Sequence, residues 1–131
     1  MKRYKIKIEY DGSPFVGWQR QENGESVQGC LERVLENIFE EEIVVYGAGR
    51  TDAGVHAMGQ VAHFDITKKD LETYIIKNAI NDHLRPHPIS ILNIDEVDQT
   101  FHARFDAIQR KYLYRIITVS YTHLRAHETS R

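Results

Sequence analysis

A carboxylate and a guanidinium lie two residues apart in Gly49-Arg50-Thr51-Asp52-Ala53-Gly54-Val55-His56-Ala57. The segment follows an apolar run, Ile43-Val44-Val45-Tyr46. In an extended chain, residues i and i+2 face the same way, so Arg50 and Asp52 are expected to project together. Gly47, Gly49 and Gly54 permit a sharp turn and the close approach of a ligand. A charged pair on such a loop at a strand end is a common way to build a site. A polar turn holding a structural ion pair would use the same residues. His56 and His63 offer a second chemistry with Asp52, because histidine and carboxylate ligands bind zinc. Their spacing matches no recognised ligand pattern and no cysteine pair accompanies them, so no metal is expected. His83, His87 and His102 read as surface or turn residues.

Three further segments carry unusual strings: Tyr10-Asp11-Gly12-Ser13-Pro14-Phe15-Val16-Gly17-Trp18-Gln19-Arg20-Gln21, Phe101-His102-Ala103-Arg104-Phe105-Asp106-Ala107 and Arg110-Lys111-Tyr112-Leu113-Tyr114. With Gly49–Ala57 they resemble, in order, the motifs of the tRNA pseudouridine synthase A family. The resemblance runs from about Lys2 to Ile117. It implies that uridine is isomerised to pseudouridine in the anticodon stem-loop of tRNA. The C1′–N1 bond breaks, the base turns, and a C1′–C5 bond forms, with no oxidation, no added water and no cofactor. Most glycosidases need two carboxylates, one often to activate water, so a lone aspartate suits isomerisation better than hydrolysis. By the same resemblance Asp52 is the catalytic residue, acting as nucleophile or as base. Arg50 is expected to fill the space left by the flipped uridine, and Tyr112 to pack against the target base. Tyr112 also fits a core position in an alternating strand. Arg20, Gln21, Arg104 and Arg110 are candidate substrate contacts. Trp18 suits either a base stack or an anchor for its loop. The family works as a homodimer.

The elements that must position these residues follow from periodicity. Tyr4, Ile6, Ile8 and Tyr10 alternate with charged residues as in a half-buried strand. Ser26 is a plausible N-cap for a helix whose apolar stripe is Val27, Cys30, Leu31, Val34, Leu35, Ile38 and Phe39. Residues 43–46 and 60–66 read as strands. Asp70 is expected to cap a second helix carrying Leu71, Tyr74, Ile75, Ala79 and Ile80, which Arg85-Pro86-His87-Pro88 ends. Strands follow at 89–94, 101–107 and 111–118. The order predicts an α+β fold: a ferredoxin-like split β-α-β-β-α-β sheet with two extra strands, one half of a pseudouridine synthase fold. The same frame serves non-catalytic RNA-binding modules, so fold alone does not separate binder from enzyme. The intact Asp52 motif favours the enzyme, since a pure binder has no need of it.

At 131 residues and 41% hydrophobic content the chain suits one domain with a packed core. No apolar run is long enough for a membrane helix, and the basic start Met1–Lys5 leads into alternation and not into a signal-peptide core. Cys30 is the single cysteine and reads as a buried thiol, which suits a reducing cytoplasm. The net charge of −2 does not advertise RNA binding, but its distribution is uneven. Residues 22–42 hold seven acids and Arg33, as an acidic helix face, whereas 101–131 hold six Lys or Arg. Residues 1–118 are expected to form the N-terminal half of a catalytic domain. Residues 119–131 lack a clear period and match nothing in the family, so they are expected to be a disordered or foreign tail on a truncated chain. Such a fragment is expected to be an incompetent synthase by itself.

Overall fold

The structure is a computed structural model, and it describes residues 1–104. The strand expected at 111–118, the 118/119 boundary, Arg110 and Tyr112 lie outside the described residues. The elements are β1 (Lys2–Tyr10), α1 (Val27–Phe39), β2 (Tyr46–Gly47), β3 (Ala57–Ile66), α2 (Thr73–Leu84) and β4 (Ile89–Val97). The sheet order is β2-β3-β1-β4 and every pair is antiparallel. This is the α+β split arrangement expected. Tyr4, Ile6 and Ile8 of β1 are buried with Ala62, Phe64 and Ile66 of β3. Both helices pack their apolar stripes into that one core. Arg3, Lys5 and Lys7 alternate onto the other face of β1, as a period of two requires. Among the described residues, no helix is long and apolar enough to cross a membrane.

Helix α1 starts where capping chemistry dictates. The Ser26 hydroxyl accepts the Gly29 N–H at 3.0 Å. It ends at Glu40, whose φ of 58° is a left-handed conformation uncommon for a non-glycine residue. Helix α2 departs from expectation. Asp70 does not cap it; its carboxylate is drawn to Lys2 of β1, and Glu72 occupies the N-cap position without a side-chain bond. The buried stripe is Ile76, Ile80 and Leu84, whereas Tyr74 and Ile75 are exposed. A spacing of four points these three at the core, chiefly toward β4.

Two expected strands are also corrected. Ile43 and Val45 are buried, yet β2 begins only at Tyr46. Their backbone is satisfied by side chains of α1 in place of a sheet ladder. The Ile43 N–H donates to Glu36 Oε2 at 3.2 Å, the Val45 N–H to Glu32 Oε2 at 2.9 Å, and Gln28 Nε2 to the Val45 carbonyl at 2.9 Å. The helix face read as solvated acid thus spends two glutamates on the core. The second is at 101–107. Phe101 and His102 are irregular, and Ala103 and Arg104 are helical. Asp98 starts a turn there, accepting N–H bonds from Thr100 and Phe101 at 2.9 Å. The Arg3 guanidinium then captures the Gln99 and Phe101 carbonyls, which a strand would have needed for pairing.

Candidate functional site

Residues 48–56 form the loop that turns β2 into β3. Turn contacts shape it, so the two-residue rule for strands does not govern Arg50 and Asp52. The Val55 N–H donates to the Asp52 carbonyl at 3.1 Å, and Gly54 has φ of 78°. The loop between β1 and α1 holds it from below. The Trp18 N–H donates to the Thr51 carbonyl at 3.1 Å, and the Gly54 N–H to the Phe15 carbonyl at 3.3 Å. The Tyr10 hydroxyl meets Thr51 Oγ1 at 2.9 Å. The Gly12 N–H donates to His56 Nδ1 at 2.9 Å. Contact is so close that a Cβ on Gly12 would stand 1.9 Å from the Val55 oxygen. Trp18 settles as the anchor between its two expected roles. It is 3% exposed, stacks on Tyr10, and a Cβ on Gly47 would meet its indole at 2.6 Å.

Asp52 is exposed, and among the described residues its carboxylate meets no cation. No ion pair joins it to Arg50. A carboxylate held by its backbone and left open at its head is available to an incoming group.

Beside the loop lies an open cleft of about 760 Å³. Arg20, Arg50 and Arg104 line it, and no carboxylate is among its described lining residues. Asp52 is not among them either. Arg20 is fixed from behind: its Nε donates to Glu32 Oε1 at 2.7 Å, and its backbone N–H to Gln28 Oε1 at 2.9 Å. Gln28 and Glu32 sit one helical turn apart and hold both Arg20 and Val45. Glu32 is 7% exposed, and burial raises its pKa against the lowering effects of the Val45 N–H and Arg20. A cleft walled by cations with an open carboxylate nearby can take up a polyanion and bring one of its groups to Asp52.

The sequence profile of tRNA pseudouridine synthases matches residues 6–106. The chain belongs to the tRNA pseudouridine synthase family. It is 57% identical over 116 residues to the tRNA pseudouridine synthase A of Ehrlichia ruminantium, covering 88% of this chain and 47% of that protein. It is 56% identical over 117 residues to the enzyme of that name from Maricaulis maris, covering 89% and 47%. The counterpart from Afipia carboxidovorans is 55% identical over 116 residues, with 88% and 47% covered. The chain thus spans about half the length of the curated relatives it matches.

Of the residues expected at a synthase site, the fold brings Arg20, Arg50 and Arg104 to one cleft. Gln21 turns away, donating to the Val16 carbonyl at 3.1 Å and lining a separate groove with Glu22 and Glu25. Asp52, His56 and His63 do not converge on a metal-sized cluster. His56 meets Gly12 and Asp11, while His63 is buried and its Nδ1 accepts the Ala103 N–H at 3.1 Å. One His/Cys/acid group exists among the described residues, Glu25, Cys30 and His87. Burial pushes the Cys30 thiol up to about 11, away from the thiolate a metal needs, and Glu25 is engaged by Arg33. Sequence reasoning missed Gln28 and Glu32. The available signal was that both fall one turn apart on the flank of the apolar stripe that packs Val27, Leu31 and Leu35.

Proposed function

We propose that these residues belong to a tRNA pseudouridine synthase that isomerises uridine in the anticodon stem-loop. It is a cofactor-free homodimer of the cytoplasm. The observation that carries the reading is the Gly49–Ala57 loop, clamped through its backbone while Asp52 stays open beside a cleft of three arginines. The uridine leaves its stack, at a cost of a few kcal/mol. Arg50 enters the vacated space and pairs with phosphate. Arg20 and Arg104, with Arg110, hold flanking phosphates, and Tyr112 packs on the target base. Asp52 then attacks the sugar or removes its proton while C1′–N1 breaks. The freed base turns and bonds through C5 as the Asp52–sugar bond breaks or the sugar proton returns; the C5 proton then leaves to solvent and N1 takes one up. No water enters the product, so one carboxylate is enough.

The test uses a chimera in which the 116 matched residues replace their counterparts in the Ehrlichia ruminantium protein. Tritium release from tRNA carrying 5-tritiated uridine follows the loss of the C5 proton. The chimera is expected to release tritium, and Asp52→Asn to abolish release while tRNA binding persists. Release by Asp52→Asn near the parent rate rejects the assignment. Binding without release in the parent chimera favours an RNA-binding module.

A further inference from the structure

One aromatic ring in the cleft has no role in the reading above. Tyr46 opens β2 and is 45% exposed, although it is a large apolar ring on a strand. It pairs with His63 across the β2–β3 ladder, so the two side chains share a face. The rings are stacked, with centroids 5.0 Å apart and planes 17° from parallel. His63 is itself buried and fixed by the Ala103 N–H. His102 braces the tyrosine from the side, its ring centroid 5.8 Å away and tilted by 52°. The next residue, Gly47, seats the strand on the buried Trp18. Tyr46 is therefore held in place before any ligand arrives, so little side-chain entropy remains to be lost on binding. It lines the same cleft as Arg20, Arg50 and Arg104.

A single exposed aromatic is ordinary on a protein surface. This one is backed by a second ring and flanked by guanidinium groups, with no carboxylate among the described lining residues. That combination matches the way single-stranded nucleic acid is held: bases stack on a fixed aromatic face while cations track the backbone. The cleft volume of about 760 Å³ lies within the range of small-ligand sites and admits a nucleotide.

We infer that Tyr46 is a stacking platform for an unpaired nucleobase of RNA, with Arg50 and Arg104 on the phosphates beside it. This base is a second one, distinct from the base that reaches Asp52. The inference rests on the RNA reading of the site but not on catalysis. Stacking tolerates any base, so the platform contributes affinity and register more than sequence preference.

The probes are fluorescein-labelled decauridylate and an abasic ribose-phosphate oligomer of equal length. Both are titrated with the 131-residue chain by fluorescence anisotropy at low salt. Loss of one stacked base costs roughly fivefold to over a hundredfold in affinity. Tyr46→Ala is expected to weaken decauridylate binding about tenfold and leave the abasic oligomer unchanged. Tyr46→Leu keeps apolar bulk on the strand and is expected to show the same selective loss. Tyr46→Trp is expected to restore the preference for bases. Near-parent Trp18 emission confirms the fold of the Ala and Leu variants, and near-parent far-ultraviolet circular dichroism that of Tyr46→Trp, which carries a second tryptophan. Equal losses on both probes, no loss on either, or no decauridylate binding by the parent chain each overturn the platform. Base-dependent binding through Tyr46 without tritium release in the chimera rejects the synthase alone. Release without a Tyr46 effect rejects the platform alone.

Discussion

Replacing Glu32 separates two jobs that one carboxylate performs. Its Oε2 accepts the N–H of fully buried Val45 at 2.9 Å, and its Oε1 holds Arg20 at 2.7 Å. Glu32→Leu fills the space but offers no acceptor. The Val45 N–H is then orphaned in the core, which costs about 1–3 kcal/mol. The Arg20 side chain is more than half exposed, so losing its pair adds less than about 1 kcal/mol. Glu32→Gln keeps an oxygen for the Val45 N–H but gives up the charge and the acceptor facing Arg20, whose exposed side chain turns to water. Burial raises the Glu32 pKa above 4.5 in spite of both partners, so the site as a whole disfavours the ionised form. A raised folded pKa means that stability falls as pH climbs from 4.5 through the folded value, and that loss persists at neutral pH. The neutral amide escapes it. At pH 7 Glu32→Gln is therefore expected within about 0.5 kcal/mol of the parent, and Glu32→Leu about 2 kcal/mol below it. Trp18, the sole tryptophan, reports unfolding in urea. With a slope of about 1.5 kcal/mol/M, the Leu midpoint drops by about 1 M and the Gln midpoint stays. Equal losses in the two variants would refute the reasoning by placing the energy in the Arg20 pair. An unshifted Leu variant would refute it by showing that the Val45 N–H finds another partner.

Gly12→Ala drives a methyl group into the Val55 carbonyl, so the motif loop must move. It is expected to cost about 1–3 kcal/mol in urea unfolding and at least about tenfold in chimera turnover. Gly54→Ala has open space but a φ of 78°, and is expected to cost only about 1 kcal/mol. Asp65 accepts a two-pronged bond from Arg3 at 2.8 and 3.0 Å, which pulls its pKa below 3.8. A depressed folded pKa stabilises above the unfolded value and loses that contribution as pH falls through the folded one. Asp65→Asn is therefore expected to cost about 1 kcal/mol at pH 7 in thermal unfolding, with the difference closing as pH falls below 3.8 and through the folded value. If Arg20, Arg50 and Arg104 each neutralise one phosphate of a single strand, log affinity against log salt has a slope of about −2. Arg104→Ala is expected to flatten it by about 0.7, and an unchanged slope would remove Arg104 from the contact.

Local chemistry determined the elements of this protein and the makeup of its motif loop. Alternation in Tyr4–Tyr10 and the stripe from Val27 to Phe39 are periodic signals, and the Ser26 cap is a local hydrogen bond. Such features depend on neighbours in the chain, so they survive without tertiary information, as does the β-α-β-β-α-β order. Whatever depended on a distant partner was decided in three dimensions. Asp70 reads as a cap until Lys2 competes for it from 68 residues away. Residues 43–45 read as strand, and they are buried as a strand would be, but Glu32, Glu36 and Gln28 supply the hydrogen bonds a neighbouring strand would have given. Phe101 reads as extended until Arg3 takes its carbonyl. At the site, the motif strings named Arg20, Arg50, Asp52 and Arg104, and guanidinium and carboxylate chemistry suits the roles the family resemblance implies. Only packing decided that three arginines share a cleft, that Trp18 is an anchor and that Tyr46 rests on His63. The shared cleft, the seat of Gly47 on Trp18 and the Tyr46–His63 stack join residues at least 17 positions apart, a separation at which no periodicity constrains who meets whom.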